Sequence, residues 1–196
     1  MAALTTKDLL LAPDLNFQEV AALLGRYRLR DIKKADANLQ RMADDPRGRA
    51  LLAEILDELL TAVAQTPLPD RALNNFERFT QATFSKTNFF SYLQQSPRTL
   101  SLLAKVFGSS PFLSDILIRN PEYFYWVFDP EVTKTRRGKR ELLRDLSRSL
   151  RLLKRKEDRL DLLRLFKRKE ILHIAVRDLL RSASVDETLA SLSDLA

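Results

Sequence analysis

Cysteine is absent from the 196 residues and histidine occurs once. The first absence excludes a disulfide scaffold, a Cys-ligated zinc or iron–sulfur site and a thiol nucleophile, and it fits a reducing cytoplasm. The second excludes any site that needs two imidazoles. Glycine (4) and proline (8) are scarce, which excludes collagen-like, low-complexity and turn-rich all-β chains. No apolar run approaches the roughly 20 residues of a membrane span. Such runs reach only a few residues, as in Phe124-Tyr125-Trp126-Val127-Phe128. The stretch Met1–Asp8 has neither a basic leader nor a long apolar segment, so no secretory signal is expected. A soluble, cytoplasmic chain with no membrane role is the expectation.

What is present favours helices around a real core. Hydrophobic residues make up 45% and charged residues 30%, and Leu, Ala, Arg, Asp and Glu are abundant. The net charge of +7 is unevenly placed. Residues 1–130 hold 15 basic and 15 acidic side chains, whereas residues 131–181 hold 18 basic and 8 acidic. The remaining segment, 182–196, adds Asp186, Glu187 and Asp194 and no basic residue. One basic segment therefore carries the whole asymmetry, and such a segment attracts phosphates or an acidic protein face.

Helix punctuation is legible along the chain. Ser96-Pro97, Ser110-Pro111 and Asn120-Pro121 each place a capping side chain before a proline, and proline at the first helical position loses no hydrogen bond. They predict helices over about 97–107, 111–119 and 121–128, with Gly108 as a left-handed stop. Asn16 caps a helix ending at Gly25, and a polar amphipathic helix covers 31–44. From Pro46, Leu51, Leu52, Ile55, Leu56, Leu59, Leu60 and Val63 recur at 3-and-4 spacing over 47–65, the pattern of a buried stripe. Thr66–Asp70 reads as a breaker loop, with Asp70 capping a helix that carries Phe76 and Phe79. Leucine-rich helices follow over 139–153 and 157–181, and a last one starts near Asp186. No segment alternates as a strand does. The chain is expected to be all-α: a multi-helix bundle of short capped helices, then two long basic, leucine-rich helices. A region 1–130, with an aromatic core at 76–128 that includes Trp126, is expected to precede a basic helical segment over 131–196.

Few constellations suggest chemistry. His173 lies mid-helix with no metal partner and no nucleophile nearby in sequence. Glu54, Asp57 and Glu58 share a helix face, as do Asp158 and Asp161; solvated acid and intrahelical ion pairing account for them. No GxxxxGKS, GxxxxGKT or GxGxxG phosphate loop occurs, and Gly25, Gly48, Gly108 and Gly138 are far apart. Gly108-Ser109 followed by Ser114-Asp115 superficially suggests a nucleotidyltransferase turn, but no second carboxylate stands at alternate spacing. No catalytic, cofactor-binding or metal-ligating residue is assigned. The candidate interaction surface is the basic run of the long helix: Arg164, Lys167, Arg168, Lys169, His173 and Arg177. No helix-turn-helix, zipper or zinc spacing supports nucleic-acid readout, so nucleic acid is not the expected partner.

Two stretches carry a family resemblance. Ser109-Ser110-Pro111-Phe112-Leu113-Ser114-Asp115-Ile116-Leu117-Ile118-Arg119-Asn120-Pro121-Glu122 resembles the "SSPFLAxLLxRHPE" segment of the glutamate–ammonia-ligase adenylyltransferase family. Phe166-Lys167-Arg168-Lys169-Glu170-Ile171-Leu172-His173-Ile174-Ala175-Val176-Arg177-Asp178-Leu179-Leu180 resembles its "FRRRExLRIAxRDL" segment, and 186–196 looks like the "xETxxxLSxLA" that follows. These enzymes attach AMP to glutamine synthetase and remove it. In the family such helices precede a nucleotidyltransferase domain with a "GxGKLGGxELxxxSDxDL" site, a pattern absent here. The resemblance thus implies a non-catalytic helical portion, inactive alone. Glutamine synthetase and a downstream catalytic domain are its implied partners. ATP and Mg are expected only in the full-length enzyme. His173 stands where the family pattern has Arg. The other reading is a stand-alone helical module that uses its basic face on an acidic protein or nucleic acid.

Overall fold

A computed structural model describes residues 4–196. Met1–Ala3, part of the stretch read above for a leader, lie outside the described residues. Thirteen α-helices, one 3-10 turn and no strand occur among the described residues, so the fold is all-α as expected. No single helix there is long and apolar enough to cross a membrane. The chain divides after Pro121 into two compact units.

The first unit holds eight helices: α1 (Asp8–Leu11), α2 (Phe17–Leu24), α3 (Ile32–Met42), α4 (Pro46–Ala64), α5 (Pro69–Ala82), α6 (Lys86–Gln95), α7 (Pro97–Ser109) and α8 (Pro111–Arg119). Their starts follow from side-chain caps that satisfy orphan backbone N–H groups. Asn16 and Glu19 form a capping box, Asp45 accepts from the Gly48 amide before Pro46, and Ser110 accepts from the Leu113 amide before Pro111. The leucine stripe of α4 is the axis of the core, with Leu52, Leu56, Leu59, Leu60 and Val63 all fully buried. Helices α5, α6 and α7 pack around it. Phe76 meets Phe107 edge-on, with ring centroids 5.1 Å apart, and Phe79 meets Phe89 at 5.2 Å. Such pairs add to the area they bury.

The second unit holds α9 (Tyr123–Val127), α10 (Pro130–Lys134), α11 (Lys139–Arg151), α12 (Lys156–Leu179) and α13 (Val185–Leu195). Phe124, Val127, Phe128, Leu142, Leu172, Ile174 and Val176 form its apolar core. Of the aromatic stretch 76–128, the buried rings of Phe76, Phe79, Phe89, Phe90 and Phe107 lie in the first unit and those of Phe124 and Phe128 in the second. Trp126 is only half-buried, which corrects its expected place in the core. Phe84, Phe112 and Tyr125 are exposed.

Several punctuation residues act differently from their expected roles. Asp70 is inside the first turn of α5, and its carboxylate accepts from the Arg30 and Asp31 amides instead. Asn120 closes α8 rather than opening the next helix; its Nδ2 donates to the Ile116 carbonyl. Gly108 is no left-handed stop. Helix α7 runs through it to Ser109, and no glycine has positive φ. The reason is steric: a β-carbon at Gly108 would fall on the buried Thr66 side chain, 2.9 Å from Cγ2 and closer to Cβ and Oγ1. A glycine inside an exposed helix gains stability on replacement by Ala, but here the overlap dominates. Gly108→Ala is expected to lower stability by about 1–3 kcal/mol, read from the denaturant midpoint. A raised midpoint would show that α7 does not approach Thr66 this closely.

Candidate functional site

The basic segment lies in the second unit, and its inner face is a polar network. Arg137 precedes α11, in the 135–138 connection. Its guanidinium bonds to Glu141 (3.3 Å) and Asp145 on α11 and to Glu170 on α12. Glu170 is 2% exposed. Burial pushes its carboxyl above the usual range, and the Arg137 charge works against that push. A buried carboxylate is tolerated only when paired in this way.

One and two turns further along α12 lie His173 and Arg177, both buried. His173 Nε2 donates to the Val132 carbonyl at 3.0 Å, and Arg177 Nε donates to the Thr133 carbonyl at 3.1 Å. Residues 170, 173 and 177 share one helix face. That face holds the stretch 132–137 in place. Burial lowers the His173 pKa, and the Arg177 and Arg137 charges lower it further, against the Val132 hydrogen bond. His173 is therefore a neutral donor at pH 7. Lys169 lies 4.1 Å from the Trp126 ring centroid and 5.9 Å from that of Tyr123, a cation–π contact. Burial lowers its pKa as well.

This geometry corrects the candidate interaction surface. His173 and Arg177 cannot belong to an exposed docking face, because both are buried and bonded to backbone carbonyls. Lys169 is half-buried on Trp126, and Arg168 is also half-buried. Arg164 and Lys167 are exposed, but Arg164 is paired with Asp161 at 2.8 Å. The exposed half of α12 is thus electrostatically mixed. Elsewhere, Tyr27 donates to Asp57 (2.6 Å) and Lys7 pairs with Glu54 (2.8 Å). Asp115 pairs with Arg78 at 3.3 Å.

The feature not identified from the sequence is on α11. Its two acids, Glu141 and Asp145, both turn toward Arg137, while Arg140, Arg144, Arg148 and Arg151 are exposed. The spacing of these four arginines, at i, i+4, i+8 and i+11, was readable as one helix face. What the sequence could not show was that both acids are engaged by Arg137.

The chain's one histidine makes a pH test specific. A folded pKa below the unfolded value near 6.5 means that the unfolded chain binds more protons at mildly acid pH. The stabilisation from neutral His173 is complete above that value and declines as pH falls through it. His173→Gln keeps a donor for Val132 and cannot titrate. The stability advantage of wild type over His173→Gln should shrink between about pH 7.5 and about pH 5.5. A constant difference across that range would contradict the assignment.

Residues 100–196 match the glutamate-ammonia ligase adenylyltransferase family. The bifunctional glutamine synthetase adenylyltransferase/adenylyl-removing enzyme of Bradyrhizobium sp. (strain BTAi1 / ATCC BAA-1182) is 32% identical over 148 residues, which cover 76% of this chain and 15% of that relative. The enzyme of the same description from Mesorhizobium japonicum is 33% identical over 158 residues, 80% of this chain and 16% of the relative. That from Brucella suis biovar 1 is 36% identical over 92 residues, 47% of this chain and 9% of the relative. The chain therefore spans a small part of the length of these curated relatives. No solved structure matches it. Helical fold, motif order and these likenesses agree: the chain belongs, through residues 100–196, to the glutamate-ammonia ligase adenylyltransferase family.

Proposed function

We propose that this chain is a non-catalytic helical region of a bifunctional glutamine synthetase adenylyltransferase/adenylyl-removing enzyme. It supports the nucleotidyltransferase domain and contributes to recognition of glutamine synthetase in nitrogen regulation. The observation that carries the reading is what happens to the carboxylates of the family-matching segment. Glu141, Asp145 and Glu170 are drawn onto Arg137, and Asp161 onto Arg164. Phosphoryl-transfer sites need carboxylates free to hold divalent metal beside a glycine-rich turn. Gly108, the glycine of the one Gly-Ser step that suggested such a turn, is occupied in packing against Thr66. ATP and Mg are assigned to other parts of the full-length enzyme. With glutamine synthetase and the catalytic domain as its proposed partners, the chain is assigned to the cytoplasm as part of the same proposal.

A second reading, a separately encoded helical module for an acidic partner, draws on the uncompensated arginines of α11. The two differ in one measurable respect, which is whether glutamine synthetase is bound. Calorimetry with purified glutamine synthetase should show saturable binding that weakens with salt. Labelled ATP should give no AMP transfer to glutamine synthetase by the chain alone. No binding would favour the separate module, and AMP transfer by the chain alone would overturn the non-catalytic reading.

A further inference from the structure

The outward face of α11 is the least compensated charge on the second unit. Arg140, Arg144, Arg148 and Arg151 line a shallow groove of ≈ 570 Å³ together with Leu143 and Ser147. Arg144 has one weak ion pair, to Asp145 at 3.4 Å. The side chains of Arg140, Arg148 and Arg151 have no hydrogen bond or ion pair among the described residues. Glu141 and Asp145 neutralise little of the row, because Arg137 draws both acids to itself and only Asp145 also reaches an arginine of the row, Arg144. The row extends about 16 Å along the helix axis. Leu143 is 52% exposed within it, and Leu152, just past its end, is 81% exposed.

We propose that this face docks an acidic amphipathic helix of a partner protein, one with carboxylates at i and i+4 flanking a large apolar side chain. The proposal rests on the reading of this chain as a recognition region. Charge complementarity selects the sign of the partner, since four arginines at helical spacing face four positions of like spacing on an apposed helix. All four are arginine rather than lysine, and the planar guanidinium fork matches a carboxylate with two parallel bonds. The leucines select protein over nucleic acid. A phosphate backbone offers nothing to bury Leu143 and Leu152, whereas an amphipathic helix covers them at the centre of the contact and leaves the ion pairs at the rim. The bulk of α12's exposed half does not compete, because its arginines and lysines alternate with Glu157, Asp158 and Asp161.

The test uses the whole chain and a designed peptide of about 18 residues, five helical turns. The peptide carries Glu at i, i+4 and i+8 around a central Leu. Its control is a scrambled peptide of identical composition. By fluorescence anisotropy, the patterned peptide should bind about tenfold tighter than the scramble, and tighter than a duplex DNA of equal charge. The double change Arg144→Glu, Arg148→Glu should lose at least about tenfold in affinity. Leu143→Gln should weaken the patterned peptide and leave the scramble unchanged. Arg164→Glu with Lys167→Glu should have no effect. Exposed positions make unfolding of these variants avoidable, and circular dichroism checks it; Arg148→Gln with Arg140→Gln serves if the charge reversal unfolds the unit. Equal binding of both peptides, tighter DNA binding, or an equal loss in the Arg164/Lys167 variant would each overturn the docking face. The peptide contains no part of glutamine synthetase, so its failure to bind leaves the proposed function to its own test.

Discussion

The second unit depends on one guanidinium. Arg137 is the only positive group bonded to the buried Glu170 carboxylate among the described residues, and it also takes Glu141 and Asp145. An unpaired carboxylate at that depth costs several kcal/mol, so the 135–138 connection has little freedom to leave. That contact sets the rotation of α11 about its axis. With Glu141 and Asp145 turned in, periodicity turns Arg140, Arg144, Arg148 and Arg151 out. An internal neutralisation thereby generates an external charge, which a count of acids and bases along the sequence understates.

The same contact fixes what α12 can present. Glu170, His173 and Arg177 form one buried face, and each is satisfied by the stretch 132–137. These residues lie inside the segment that resembles "FRRRExLRIAxRDL". In the family pattern an arginine stands at the position of His173. The neutral imidazole of His173 donates to the Val132 carbonyl without adding a third cation beside Arg177 and Arg137. The polar residues of this segment thus contribute architecture, and the exposed contribution falls to α11.

The parts of the fold that the sequence made legible are those governed by local chemistry. Asn16 with Glu19, Asp45 with Pro46, and Ser110 with Pro111 act through atoms three residues away, so their spacing is sufficient. The stripe of α4 is legible because apolar periodicity and burial coincide there. Gly108, Asp70 and Asn120 resisted because each answers to a distant or backbone partner: Thr66, the Arg30 and Asp31 amides, and the Ile116 carbonyl. The candidate surface was placed on α12 for a related reason. Its buried face carries a carboxylate, an imidazole and a guanidinium, so apolar periodicity assigns that face no phase. Charge density marked a region, residues 131–181, and could not say which of its charged side chains are exposed.

The central claim is that Arg137 and Glu170 hold the second unit together as a coupled pair. A double-mutant cycle in the whole chain tests it, with Arg137→Met and Glu170→Met made singly and together and stability read from denaturant unfolding. Arg137→Met alone should cost about 3–5 kcal/mol, because it strands the buried carboxylate, and the double change should recover most of that loss. Additive losses, or an Arg137→Met variant as stable as wild type, would contradict it.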